Sequence, residues 1–155
     1  MPTALVSHPA CAAHDPGQGH PESPRRLSAI LDGLAAAGVT DHLRHIEAPE
    51  ATRAQLERVH LAAYLDRLEA LVPDAGLRYL DADTPLGPAT LPAARRAAGA
   101  VIAAADAVLA GEAHNAFCLV RPPGHHATPD RAMGFCYYNK IAVGVAHALE
   151  AHGLE

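Results

Sequence analysis

Short apolar runs alternate along the chain with longer segments of helical periodicity. Ala4 to Ser7 reads as a strand, and the stretch after it, with His8, Pro9, His14, Pro16, Gly17, Gly19, His20 and Pro21, predicts an irregular loop. Leu27, Ile30, Leu31 and Leu34 recur at helical spacing, with Ser23 as the N-cap, Pro24 at the first helical position and Gly38 to close the end. Leu43 to Ala48 predicts a second strand. Thr52 and Gln55 form a capping-box pair that opens a helix through Leu56 and Val59, and a further helix carries Tyr64, Leu65, Leu68 and Leu71 towards Pro73.

The stretch from Leu77 to Pro88 holds Asp81, Asp83, Thr84, Pro85 and Gly87 and predicts a long surface loop. The longest helix is expected from about Leu91 to Ala110, with Leu91, Ala94, Ala98, Val101, Ile102, Ala105, Val108 and Leu109 on one stripe. Ala116 to Val120 is continuously apolar, the pattern of a strand buried on both faces in a parallel sheet. A last helix is expected to carry Ile141, Val145, Ala148 and Leu149 and to end near Gly153. Strands alternating with helices imply an open α/β sheet.

At 155 residues, without repeats or a linker, residues 1–155 read as one domain or a piece of one. No apolar run approaches the roughly 20 residues of a membrane span. With a formal charge of −5 and 12 Lys and Arg scattered without a basic block, a nucleic-acid groove is not expected. Cys11, Cys118 and Cys136 form no CxxC pair, which argues against a disulfide framework or a zinc ribbon and for a reducing, cytoplasmic setting. The N-terminal MPTALVSHPACAAHD lacks the basic start of a signal peptide.

The chemistry concentrates in Arg121-Pro-Pro-Gly-His-His-Ala127 and Met133-Gly-Phe-Cys-Tyr-Tyr-Asn139, directly after the expected buried strand. Ligand sites in open α/β sheets form beyond the carboxyl ends of strands. His125 and His126 lie there and suit general acid–base work. The residues alone leave open a second reading, two histidines satisfying backbone carbonyls. Cys136 reads as a buried thiol and Tyr137 and Tyr138 as packing residues.

Together with HPESPRRL at 20–27, VHLAAYLDRLE at 59–69 and DADTPLG at 81–87, these segments make the chain similar to the zinc-dependent histone deacetylase and acetylpolyamine amidohydrolase family. The resemblance implies an arginase/deacetylase-like three-layer α/β fold with a parallel sheet, of which this chain is expected to be an incomplete N-terminal portion. It implies that His125 and His126 are the general base and its acid or electrostatic partner. Gly134 and Phe135 correspond to the tunnel wall around the substrate's aliphatic stem, Asp83 to the rim carboxylate that binds substrate backbone, and Arg26 to the arginine lining the internal cavity behind the metal. In this family the zinc ligands follow later, in an Asp-x-His motif and a further Asp. None is found in this chain, so Zn2+ is expected in the complete domain only, and no metal ligand is assigned here.

Asp15 with His14 and His20, and Asp41 with His42 and His45, read as solvated groups. Expected partners are an acetylated lysine peptide or an acetylated small amine, with no nucleic acid and no membrane, and self-association through an unpaired sheet edge is expected. The alternative is a catalytically inactive α/β domain that binds a partner. A histidine-rich metal buffer is disfavoured, because the histidines form no i, i+4 pair on a helix.

Overall fold

A computed structural model describes residues 1–155. The elements in chain order are β1 (Thr3–Ser7), α1 (Ala10–Ala13), α2 (Arg25–Ala36), β2 (Leu43–Glu47), α3 (Arg53–Glu57), α4 (Ala62–Ala70), β3 (Arg78–Tyr79), β4 (Pro85–Leu86), α5 (Thr90–Leu109), β5 (Asn115–Leu119) and α6 (Lys140–His152). β1, β2 and β5 form a parallel sheet in the order β2-β1-β5, with Thr3 opposite both Leu43 and Asn115. The chain steps from β1 to one side and then crosses back to the other. Right-handed crossovers therefore put α2 and α5 on opposite faces, and the reversal opens a crevice at the carboxyl ends of β1 and β5.

Most of the expected elements form, and several differ in what they bury. The capping box of Thr52 and Gln55 is present on both sides, although α3 is only five residues long. Ser23 accepts the Arg25 N–H at 3.3 Å, but regular helix starts at Arg25 and Pro24 occupies the cap position. The expected irregular loop after β1 contains the short helix α1, which buries Cys11. The expected loop over 77–88 is a small β3–β4 hairpin in which Thr84, Pro85, Leu86 and Gly87 are buried.

β5 is not buried on both faces. It pairs only with β1, so one edge is free and Phe117 is 46% exposed. α6 carries the expected apolar residues on its exposed side: Ile141, Val145 and Leu149 face outward, while Val143, Gly144 and His147 are buried. Gly144 fixes this orientation, because a Cβ there would lie 2.4 Å from Val101 Cγ1 of α5. α6 approaches Val101 of α5 through its glycine, and its larger apolar side chains Ile141, Val145 and Leu149 point away.

α5 is buried on two sides rather than along one stripe. Leu91, Ala94, Ala98 and Ile102 join the core formed with α3, α4 and α6, while Ala97, Ala100 and Ala104 join the core under the sheet. Its tightest approach is at Gly99, where an added Cβ would sit 1.9 Å from the Pro49 carbonyl oxygen. Gly99→Ala is therefore expected to lower stability by roughly 1–3 kcal/mol despite alanine's better helix propensity, read as a fall in the urea midpoint. No helix is long and apolar enough to cross a membrane.

Candidate active site

The loops that follow β1 and β5 meet beyond the sheet. Arg121, fully buried at the end of β5, donates Nε and Nη2 to the two carboxylate oxygens of Glu22 at 2.8 and 2.6 Å. Its Nη1 donates to the carbonyls of Cys11 and His14. Arg26 reaches the same place from α2, donating to the Val120 carbonyl at 3.0 Å with its side chain 46% exposed. Lys140 donates to the Pro122 carbonyl at 2.7 Å, and burial lowers its pKa. Arg26 and Lys140 thus bind the backbone that leads into the histidine segment, while Arg121 ties that segment to the loop after β1.

His125 and His126 occupy a tight turn closed by the Ala127 N–H on the Gly124 carbonyl at 3.2 Å. Gly124 lies so close to the following loop that a Cβ would approach the Tyr138 carbonyl oxygen to 2.4 Å. Asn139 holds the other end of the turn, donating Nδ2 to the Ala127 carbonyl while its Oδ1 caps α6 at Ala142. The two imidazoles are exposed, 4.2 Å apart between ring centroids and inclined by 49°, and neither hydrogen-bonds to this chain. The reading in which they satisfy loop carbonyls is not what the structure shows.

Gly134 lies under His126: with φ of +57°, it would place a Cβ 2.8 Å from the ring's Cδ2. Phe135, also at positive φ, is next to it, and its N–H donates to Thr84 Oγ1 at 3.2 Å. Thr84 in turn donates to the Asp83 carboxylate at 3.3 Å. His20 completes this wall. It accepts the Glu22 N–H at Nδ1, so its proton sits on Nε2, which donates to the Asp83 carbonyl at 3.1 Å. Its ring meets Phe135 edge-on at 4.7 Å. Gly134, Phe135 and Asp83 are thus brought together, with His20 between the last two. Grooves of about 470 Å3 along residues 15–25 and about 540 Å3 between α2 and the sheet flank this region without reaching His125 or His126.

His14 corrects an expectation. It is buried rather than solvated, with Nδ1 2.9 Å from Thr90 Oγ1. Burial and then the Arg121 charge push its pKa down to about 4. That value lies below the ordinary 6.5, so the folded state resists protonating it. Its stabilisation is complete above about pH 6.5 and is lost as the pH falls towards 4, at about 1.4 kcal/mol per pH unit and roughly 3 kcal/mol in all. Urea midpoints at pH 7, 6 and 5 are expected to fall accordingly, and His14→Gln is expected to flatten the slope.

Sequence reasoning missed Glu22, His20 and Thr84 as site residues, although each lies within a segment it had singled out. It also missed His60, which accepts the Asn139 N–H at 2.9 Å and so supports the loop that holds the turn. Cys136 is buried, and burial raises its thiol pKa, in keeping with a packing role. The residues around the histidine turn do not make up a metal ligand set. The convergence of three metal-binding side chains in this chain, Asp106, His147 and His152, contains neither His125 nor His126.

Comparison with known proteins agrees with this architecture. A histone deacetylase-like amidohydrolase from Pseudomonas aeruginosa is 49% identical over 150 residues, covering 97% of this chain and 38% of that protein. The human polyamine deacetylase HDAC10 is 37% identical over 169 residues, covering 99% of this chain and 24% of that protein. The crystal structure of the HDA15 HD domain superposes with a TM-score of 0.86 at 36% identity, covering 96% of this chain and 44% of that one. The chain thus spans well under half the length of each. The sequence pattern of the histone deacetylase domain itself matches residues 20–155, which include the Glu22–Arg121 pair, the Asp83–Thr84 hairpin and the histidine turn, and this chain therefore belongs to the histone deacetylase family.

Proposed function

We propose that this chain supplies the acid–base half of an amidohydrolase site that removes acetyl groups from acetyl-lysine peptides or acetylated small amines, polyamines among them. The observation that carries the reading is the Gly124–Ala127 turn. It presents two imidazoles with no protein partner beyond the carboxyl end of β5, beside a wall of Phe135, His20 and Asp83. One imidazole of the pair takes the proton from the water that attacks the amide carbon, and a proton is returned to the departing amine as the C–N bond breaks. The products are acetate and a free amine. Gly134 and Phe135 line the path of the aliphatic stem, and the Asp83 carboxylate accepts hydrogen bonds at the rim.

Family membership implies a metal cofactor, which we assign as zinc. Its ligands are not among the residues around the turn, and no step is assigned to it. The partner of the free β5 edge is a further strand or a second copy of this chain.

The test is acetate release from an acetyl-lysine peptide and from an N-acetylated polyamine by a protein carrying this segment within a whole domain. Release that depends on His125 and His126 is expected, and no release from either class would sink the reading. The 155-residue chain alone is expected to release none, and turnover by it would overturn the placement of the metal ligands outside it.

A further inference from the structure

At the ends of α5 and α6 remote from the histidine turn, three side chains converge. His147 Nε2 and His152 Nε2 lie 2.7 and 2.6 Å from the same oxygen, Asp106 Oδ1, and all three atoms fall within 4.8 Å of one another. Asp106 is 16 residues along α5 from Thr90, whose hydroxyl contacts His14, or about 24 Å at 1.5 Å per residue. The cluster is therefore separate from the candidate active site. His147 is buried, with its side chain 11% exposed, while His152 and Asp106 lie at the surface with side chains 30% and 48% exposed and leave an open side.

We propose that Asp106, His147 and His152 form a site for a divalent transition-metal cation of the zinc or nickel class, which ties the end of α6 to α5. Two imidazole nitrogens and one carboxylate oxygen are the donor set these borderline cations prefer, whereas calcium and magnesium require oxygen. Bonds of about 2.1 Å in tetrahedral geometry put ligand atoms roughly 3.4 Å apart. The N–O separations of 2.6 and 2.7 Å need to open by about 0.7–0.8 Å to reach that spacing, and the open side admits a water as fourth ligand.

One neighbour opposes the cation, and it makes the proposal specific. Arg58 Nη1 lies 3.3 Å from His147 Nδ1 and can only donate, so without metal the His147 proton sits on Nε2 and faces Asp106. Ligation through Nε2 moves that proton to Nδ1, against the guanidinium. Arg58 retains its ion pair with Glu150 at 2.5 Å, so the proton shift gives up the long Arg58–His147 hydrogen bond, while the cation takes the place of the His147 Nε2–H bond to Asp106. Arg58→Gln removes the opposing charge and offers an amide oxygen to the Nδ1–H, the outer contact that ligating histidines usually have.

Zinc chloride and nickel chloride titrated into the 155-residue chain are expected to show one strong site. His152→Ala and Asp106→Asn should each weaken it at least ~10-fold, and Arg58→Gln should tighten it by roughly 10-fold. The His125→Ala/His126→Ala double variant should leave it unchanged. Should a cluster variant fail to fold, nickel added to the unmutated chain decides, because its paramagnetism should broaden backbone amide NMR signals around Asp106, His147 and His152. No binding, binding indifferent to Arg58→Gln or His152→Ala, or broadening centred on other histidines would overturn the proposal.

Discussion

His126→Ala, in a protein that carries the whole domain, is expected to lower kcat by roughly 10² to 10⁴ with its metal content unchanged, the cost of losing a positioned acid–base group. His125→Ala should also be damaging. The two rings stand 4.2 Å apart on one tight turn, and in the proposed mechanism they serve the same water and the same leaving group. Removing both should then be little worse than removing the more important one, because residues that act as a unit give strongly non-additive effects. The measurement is kcat and metal content for the two single variants and the double variant. Loss of metal in the single variants would make the histidines ligands and overturn their assigned roles. Full activity in all three would make the turn structural.

What could be seen in the sequence was whatever local periodicity or a compact motif encodes. β1, β2, α4 and α5 form within a residue or two of the expected bounds, since apolar spacing decides them. The histidine turn was legible because Pro122, Pro123 and Gly124 lie next to it in the chain. The failures share one cause, in that burial depends on which surface arrives opposite. Ile141, Val145 and Leu149 are as apolar as Val143, and the close approach of Gly144 to Val101 turns the side with Val143 and His147 inward. β5 has a core strand's sequence but only one neighbouring strand.

The same limit hid the polar part of the site. Glu22 and Arg121 are 99 residues apart, and His20 and Asp83 are 63 apart, so no window of the chain contains either pair. The metal-binding convergence was missed for a related reason. His147 and His152 are not an i, i+4 pair, and Asp106 comes from a different helix.

The buried ion pair gives the second large expected effect. Arg121→Met is expected to destabilise the 155-residue chain by roughly 3–5 kcal/mol, a fall in Tm on the order of 10 °C for a domain of this size. The reason is the group left behind. The Glu22 side chain is only 7% exposed, and without Arg121 the nitrogens left beside it are His14 Nε2 at 3.7 Å and Arg26 Nη2 at 4.0 Å, both too far for a hydrogen bond. The Cys11 and His14 carbonyls lose their donor in the same step. Arg121→Lys keeps the charge but cannot supply the two parallel bonds, so it should fall between the wild type and Arg121→Met. Replacing both partners, Arg121→Met with Glu22→Met, removes the stranded charge and should recover at least half of the loss. Thermal unfolding of the four proteins separates the cases. If Arg121→Met alone costs less than about 1 kcal/mol, or if the double variant is no more stable than the worse single one, the pair is not what joins the loops after β1 and β5.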